Sequence, residues 1–402
     1  VSVESLRRTL QRERGGEAIF DSGNLTGLKY DDGMQLALEH GGALEYSSAP
    51  APDLTTVIDT MHETLEQVAD TAKRVGLAIL PGANLPFDRI EEAQWVPKPR
   101  GKIMRDFFHR IGDAGAWGPT VMALTLSTQV TLDYRSEDDL RDKLRMQVAA
   151  SPVVAGMFVN SPFEGGEPTG LLSRRAQCWL KTDPPRCGVL APALNPDAPI
   201  DEFIDWATQL PMIYRAAADG TYQAGPDRSF ARLMVDGFGD GTGPTPAHWR
   251  SHLSQIWTDV RLRDTLELRA ADGPAYPHIG ALPALWVGLT YHQPSRDAAW
   301  NLLRNYRVND FQTASREVIR TGLATRLGPD SVRELAGELI RLARLGLRAR
   351  IEAGLEQSIV LTCLDPIEEV VASGTTFAER TLDRWDGDLR RDPARYVDAY
   401  RI

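Results

Sequence analysis

Four stretches of the sequence concentrate residue types that can do chemistry. The first, Glu39-His40-Gly41-Gly42-Ala43-Leu44-Glu45, sets two carboxylates either side of a glycine turn. Hard oxygen donors converging in this way suit Mg²⁺, and a charged hairpin with no metal is the plainer alternative. The second, Ser127 to Tyr134, alternates so that Gln129, Thr131 and Asp133 share one face of a strand. The third runs from Asn160-Ser161-Pro162-Phe163 through Arg175 and Trp179 to Thr182-Asp183 and Arg186. Arginines and a tryptophan on an irregular loop suit recognition of a carboxylate or a phosphate. The fourth is Glu267-Leu268-Arg269, where period two puts the acid and the base on one face. It reads either as a surface ion pair or as a metal ligand beside a phosphate clamp.

The elements that must position these residues follow from apolar spacing. A short helix over residues 1–13 carries Leu6 and Leu10, and Leu25 to Tyr46 reads as two antiparallel strands with turns at Asp31-Asp32-Gly33 and Gly41-Gly42. Leu54, Val57, Ile58, Met61, Leu65, Val68 and Ala72 line one face of a helix with Asp53 as its N-cap and Gly76 beyond its end. Leu77–Leu80 then reads as a short strand, 83–101 as a loop, and Val121–Tyr134 as a strand. Ser136 with Asp139 opens a helix through about Ala150, and Asn160–Gly188 is expected to be loop. Trp249–Trp257 reads as helix, Val260–Leu268 as strand, and 296–323 and 331–354 as long helices. Strands early and helices late predict an α+β fold, and with no Pro/Ser-rich linker the expectation is one domain over 1–402 with a helical part from about 296.

Composition narrows the function. Forty-five Lys+Arg against 55 Asp+Glu give a net charge of −10, which argues against nucleic acid or an anionic membrane as the main partner. No apolar run reaches the roughly 18–20 residues of a membrane helix. Three cysteines, Cys178, Cys187 and Cys363, form no CxxC, which fits a reducing cytoplasm with separate thiols. The sequence lacks a GxxxxGK[ST] phosphate loop, a GxSxG elbow and HExxH. His248 and His252, four apart, read as an amphipathic helix rather than a metal pair, and the glycines at 237, 239, 241 and 243 as a turn-rich loop.

Taken in order, the clusters resemble the plant and proteobacterial type of glutamate–cysteine ligase, related to actinobacterial ergothioneine-pathway ligases. The family pattern E-P-G-G-x-x-E-L-S-x-A-P is met by Glu39 to Pro50, with His40 in place of Pro. The pattern T-x-Q-V-N-L-D-[FY] is met from Ser127 with Thr131 in place of Asn, and A-N-S-P-F…L-S-x-R by Val159 to Arg175. Trp179, Thr182-Asp183-Pro184 and Arg186-Cys187-Gly188 continue it, with Gln177 where His is common. Further on, E-x-R-x-A-D-G is met at Glu267–Gly273 and A-L-P-A-x-W-V-G-L-x-Y at Ala281–Tyr291. Of the family's G-R-Y run, the sequence keeps Arg100 and Met104 and loses Tyr.

The resemblance implies a glutamine-synthetase-like fold, an antiparallel sheet with helices packed around it. It implies ATP and Mg²⁺ as cofactors, and a reaction that joins the γ-carboxylate of L-glutamate, through a γ-glutamyl phosphate, to L-cysteine. Another amine or amino acid as acceptor stays open, as does a relative that binds nucleotide or amino acid without turnover. By resemblance Glu39, Glu45, Gln129 and Glu267 are the metal ligands. Arg269 contacts ATP phosphates and is catalytic with Arg175. Arg175, Arg186 and Arg100 take substrate carboxylate or the transferring phosphoryl group, and Trp179 walls the pocket. The family's opening strand, G-x-E-x-E, does not occur in the sequence, where Val1–Leu6 corresponds to the helix after it. An active ligase is then expected to carry that strand upstream of Val1 or to supply its ligands in another way.

Overall fold

A computed structural model describes residues 3–21, 23–195, 199–217, 221–276 and 278–402. The first helix, Val3–Arg14, buries Leu6 and Leu10 as its spacing predicts. It packs on an antiparallel meander of four strands: β1 (Glu17–Asp21), β2 (Asn24–Lys29), β3 (Gln35–Leu38) and β4 (Leu44–Ser47). Two strands were expected over Leu25–Tyr46, where three form, β2 to β4, with β1 a further edge strand before them. The extra edge strand β1 has no apolar alternation to betray it, because Ile19 and Phe20 are both exposed. Its pairing with β2 comes from backbone hydrogen bonds, with an irregularity between Ile19 and Phe20.

Both predicted turns form. Asp32 Oδ1 accepts from Met34 N at 2.9 Å, and Gly33 takes the left-handed conformation, φ +96°. At the second turn Gly42 N donates to Glu39 O at 3.0 Å. The neighbouring Gly41 has a different reason to be glycine. A Cβ there would stand 2.0 Å from the carbonyl oxygen of Ala123, so the β3–β4 turn is docked backbone to backbone on the helix Gly118–Leu124.

That helix and the short strand β5 (Val130–Leu132) replace the single strand expected over 121–134. Val121 to Leu124 are all buried, so sequence alternation carries no information there, and Pro119 sits where a helix tolerates it. Residues 260–268 likewise form a hairpin instead of one strand: β6 (Val260–Leu262) and β7 (Leu266–Leu268), turning through Arg263–Thr265. Together they make a three-stranded antiparallel sheet in the order β6-β7-β5, in which Glu267 pairs with both Arg261 and Thr131. The expected strand at 77–80 joins no ladder.

The helix at Ser136 forms with its predicted cap, Ser136 Oγ accepting from Asp139 N at 3.2 Å. It runs past Ala150 to Phe158, because Val148–Phe158 is nearly continuous buried apolar surface that outweighs the donor Pro152 lacks. The expected loop 160–188 contains the helix Arg174–Leu180, capped by Ser173, and a two-residue hairpin, Phe163–Glu164 with Glu167–Pro168. The predicted helix at 249–257 is Pro246–Leu253, and Trp257 instead joins a short parallel pairing with Cys187. The late helices are Gln293–Leu303, Val308–Thr321 and Val332–Glu352, followed by three shorter ones to Tyr400. They enclose the main core around Phe158 and Trp286, both almost fully buried. The pattern is α+β, with small, mostly antiparallel sheets.

One buried carboxylate ties the early part of the chain to the late part. The helix Leu54–Arg74 is capped by Asp53, as predicted, through Thr56 N at 2.7 Å. Glu356, from after the Val332–Glu352 helix, also accepts from Leu54 N and Thr55 N at 3.0–3.1 Å and from Thr55 Oγ1 at 3.1 Å. Its side chain is 0% exposed, and Arg350 Nη2 balances it at 2.8 Å. A helix N-terminus, with its unpaired amides, is where a desolvated carboxylate is best tolerated. Glu356→Ala leaves those donors and the Arg350 charge unmatched, and urea titration should show a loss of about 3–5 kcal/mol. A loss under about 1 kcal/mol would show that the clamp is not formed in solution.

Candidate active site

The chemistry-bearing clusters meet on the three-stranded sheet. Glu267 projects from β7 with its side chain only 3% exposed. Antiparallel register sets Arg261 directly opposite, and its guanidinium forks onto the carboxylate at 2.7, 2.9 and 3.1 Å. Arg263 Nη2 adds a contact at 3.1 Å, and Arg269, two residues along the same face, one at 2.5 Å. Burial alone would push this carboxyl up; Arg269 and Arg261 more than reverse that and hold it at about 2. Gln129, just before β5, has its amide best oriented to donate to Glu267 Oε1 at 2.8 Å and to accept from Arg269 Nη1 at 2.9 Å.

The β3–β4 hairpin brings the other two acids to the same place. Glu45 is pushed up to about 7, first by burial, then by the charge of Glu39 and a hydrogen bond with it, then by Glu267. Lys98 answers this negative charge from the segment read as plain loop, donating from Nζ to Leu38 O beside the turn. Burial lowers its ammonium while Glu39 and Glu45 oppose the shift. His40 is held neutral, at about 3, by burial and by Lys98, Arg100 and Arg105. Arg100 therefore stands at this end of the site, its guanidinium 5.3 Å and 6.0 Å from the ring centroids of Tyr222 and Tyr214.

Among the described residues, no group of three or more His, Cys, Asp or Glu is arranged to hold a metal ion. The donor chemistry of the Glu39–Glu45 pair nevertheless fits Mg²⁺. A carboxyl kept protonated towards neutral pH by burial and by two like-charged neighbours is one that a hard cation would stabilise. Glu267 and Gln129 face the same charge cluster with their oxygens already paired to guanidinium groups, so ligation by them requires those pairs to open.

Arg175 and Arg186 depart from expectation. Arg175 is 2% exposed. It donates to Leu126 O at 2.9 Å, Ser127 Oγ at 2.6 Å and Arg269 O at 2.8 Å, with Asp272 at 3.6 Å. Arg186, 1% exposed, donates to Asp183 at 2.5 Å, Pro211 O at 3.0 Å and Gln255 O at 3.3 Å. In this structure both brace neighbouring segments, and Arg175 also lines the cavity beside Trp179. Asp272 fastens the same region from within, accepting from Asn160 N, Ser161 Oγ and Ser173 Oγ at 2.7–3.0 Å. Much of the Asn160–Arg175 and Ala271–Gly273 pattern is thus a buried joint between segments.

Trp179 does wall a cavity, which Arg175, Trp257, Asp259, Arg269 and Ser315 also line. The Arg269 guanidinium lies 5.3 Å from its ring centroid. Sequence reasoning missed Lys98, Arg261, Arg263 and Asp259. Arg261 was recoverable: with a turn placed at 263–265, alternation sets it opposite Glu267. The other three carry no local signal. His252 is buried with Nε2 2.8 Å from Ala207 O, His248 caps its own helix, and the three cysteines are free.

Glu45 also sets a pH dependence. Its native carboxyl holds a proton more tightly than an unfolded one, so its contribution to stability is whole below about pH 4.5 and is lost as pH rises through about 7. The stability difference between Glu45→Gln and wild type, from urea titrations, should move in the variant's favour between about pH 5 and about pH 8. A difference independent of pH would mean that Glu45 does not face Glu39 and Glu267.

Similar proteins are found by sequence. The chain is 32% identical to "Glutamate--cysteine ligase B, chloroplastic" of Oryza sativa subsp. japonica over 377 residues, 93% of this chain and 74% of that protein. It is 33% identical to "Glutamate--cysteine ligase, chloroplastic" of Arabidopsis thaliana over 381 residues, 92% of this chain and 70% of that protein. With the Brassica juncea enzyme of the same name it shares 32% over 379 residues, 92% of this chain and 71% of that protein. The sequence pattern of glutamate-cysteine ligase family 2 (GCS2) spans residues 7–394, nearly the whole chain and every cluster above, and the protein belongs to that family.

Proposed function

We propose that the protein is an ATP-dependent ligase that joins the γ-carboxylate of glutamate to the amine of cysteine. The observation that carries this reading is the meeting of Glu39, Glu45 and Glu267 with Arg269 at the edge of the cavity walled by Trp179. Such a site suits phosphoryl transfer, where catalysis consists of orienting the reactants and balancing the charge that gathers on phosphate oxygens. A γ-carboxylate oxygen of glutamate takes the terminal phosphoryl group of ATP, with ADP leaving. The amine of cysteine then attacks the acyl carbon, phosphate leaves, and the amine nitrogen gives up a proton.

The residues divide this work. Arg269, fixed by Glu267 on one side and Trp179 on the other, presents its guanidinium towards transferred phosphate. Arg261 and Arg263 hold Glu267 ionised, and Arg175 holds the Leu126 and Arg269 backbone in place. Glu39 and Glu45 would hold Mg²⁺, joined by Gln129 and Glu267 if their arginine contacts open; the ion when bound neutralises phosphate charge. Lys98 and Arg100 offset what negative charge remains at the hairpin. Family membership supports a glutamine-synthetase-like arrangement of the sheets and helices. The Glu356 clamp, which joins residues 54 and 356, supports one catalytic unit over the chain. A reducing compartment such as the cytoplasm is in keeping with the free cysteines.

ADP release with glutamate, Mg²⁺ and a panel of amines tests the reaction. Release that requires both glutamate and cysteine is expected; release with none of the amines would overturn the reading, and release with another amine in place of cysteine would overturn the acceptor. Arg269→Ala should lower kcat by about 10²–10³-fold with the circular dichroism spectrum unchanged. Near-normal turnover would remove Arg269 from the phosphate site.

A further inference from the structure

Asp133 and Tyr291 belong to two runs that match the family pattern, yet they bond to each other and not to the charge cluster around Glu267. Asp133 is the residue after β5, and Tyr291 ends the almost wholly buried helix Ala281–Tyr291. The Tyr291 hydroxyl donates to Asp133 Oδ1 at 2.6 Å and accepts from Asp133 N at 3.2 Å, so one oxygen grips side chain and backbone together. Lys143, on the helix Glu137–Phe158 with its side chain 3% exposed, donates to Asp133 O at 2.9 Å and pairs with Asp139 at 2.8 Å. Its ammonium lies 4.8 Å from the Tyr291 ring centroid, and the guanidinium of Arg350, from the Glu356 clamp, lies 5.4 Å from it. Burial, then the bond to Asp133, raises the Tyr291 hydroxyl above its ordinary range, so it stays a donor.

The strand needs such a hold. Three residues long, β5 lies at the edge of its sheet and, among the described residues, pairs with β7 alone. So short a strand has few ladder bonds to fix its register, and a slip of one residue turns its side chains to the opposite face. The observed register, Thr131 opposite Glu267, is the one that sets Gln129 against Glu267 and Arg269. Arg175 holds the near end through Leu126 O and Ser127 Oγ. Tyr291 and Lys143 hold the far end, about 13 Å along the strand from Gln129. We propose that Tyr291 is a positioning residue: with Lys143 it pins the end of β5 and so sets Gln129 against Glu267 and Arg269. Slack in β5 is then felt at Arg269, whose Nη1 donates to the Gln129 amide. The inference deepens the ligase reading and rests on it for the turnover measurement alone.

Tyr291→Phe removes the hydroxyl and keeps the ring beside its cations. Hydrogen exchange, which needs no turnover, should show the amides of Val130–Leu132 exchanging about tenfold faster, with rates in the Val332–Glu352 helix unchanged. In the ADP-release assay, kcat per folded molecule should fall about tenfold while KM for glutamate holds within about twofold. A merely structural role would lower the unfolding midpoint and leave kcat per folded molecule as in wild type. Asp133→Ala should reproduce both effects, and it provides the same reading should Tyr291→Phe not fold. Asp133→Asn, which keeps an acceptor for the hydroxyl, should restore most of the turnover. Adding Tyr291→Phe to Asp133→Ala should cost nothing further, because both cut the same bond. Unchanged exchange at β5 overturns the pin, and faster exchange with unchanged kcat overturns its role in placing Gln129. ADP release absent from wild type would remove the ligase reading, and exchange at β5 would still decide the pin.

Discussion

The site depends on one crowded ion cluster, Glu267 among Arg261, Arg263 and Arg269. A carboxylate so deeply buried would ordinarily give up its charge. Here antiparallel register supplies the opposing guanidinium, and strand periodicity supplies the second on the same face. The excess of positive charge lets Glu39 and Glu45 approach on the hairpin without forcing the sheet apart. Remove the cluster from the account and neither the convergence of the acids nor the fixed orientation of Arg269 over Trp179 has a cause.

Around this cluster the structure divides labour by burial. Arg175 and Arg186, the most conspicuous arginines of the sequence, are sunk into the scaffold and fasten carbonyl groups of distant segments. Arg269 lines the cavity with Arg175 beside it, but its guanidinium is held by a side chain, Glu267, rather than by backbone carbonyl groups.

How much of this was legible in the sequence varied with the kind of signal. Capped, amphipathic helices such as Leu54–Arg74 and the one opened by Ser136 were readable, since cap chemistry and a 3.6-residue period are both local. The three candidate metal carboxylates and Arg269 were also found, from spacing and resemblance, and they do come together. Where every residue is buried, as over Val121–Leu124, alternation disappears and a helix was read as strand. Short strands such as β6 and β7 are defined by partners far along the chain, so their hairpin was read as one strand. Lys98 and Asp259 stayed invisible for a related reason: a lysine and an aspartate in loops are ordinary surface residues until folding buries them beside charge.

The backbone contact of Gly41 with Ala123 fixes more than a turn. Because no side chain cushions it, the hairpin cannot rock towards or away from the Gly118–Leu124 helix without a gap or a collision. The separation between the hairpin acids and β7 is therefore set by covalent dimensions rather than by adaptable side-chain packing. Charge repulsion that a mobile hairpin would relax by swinging outward is relieved here by the proton that Glu45 keeps. In that sense the glycine acts as a gauge block, and preorganisation at this site is a matter of chain geometry.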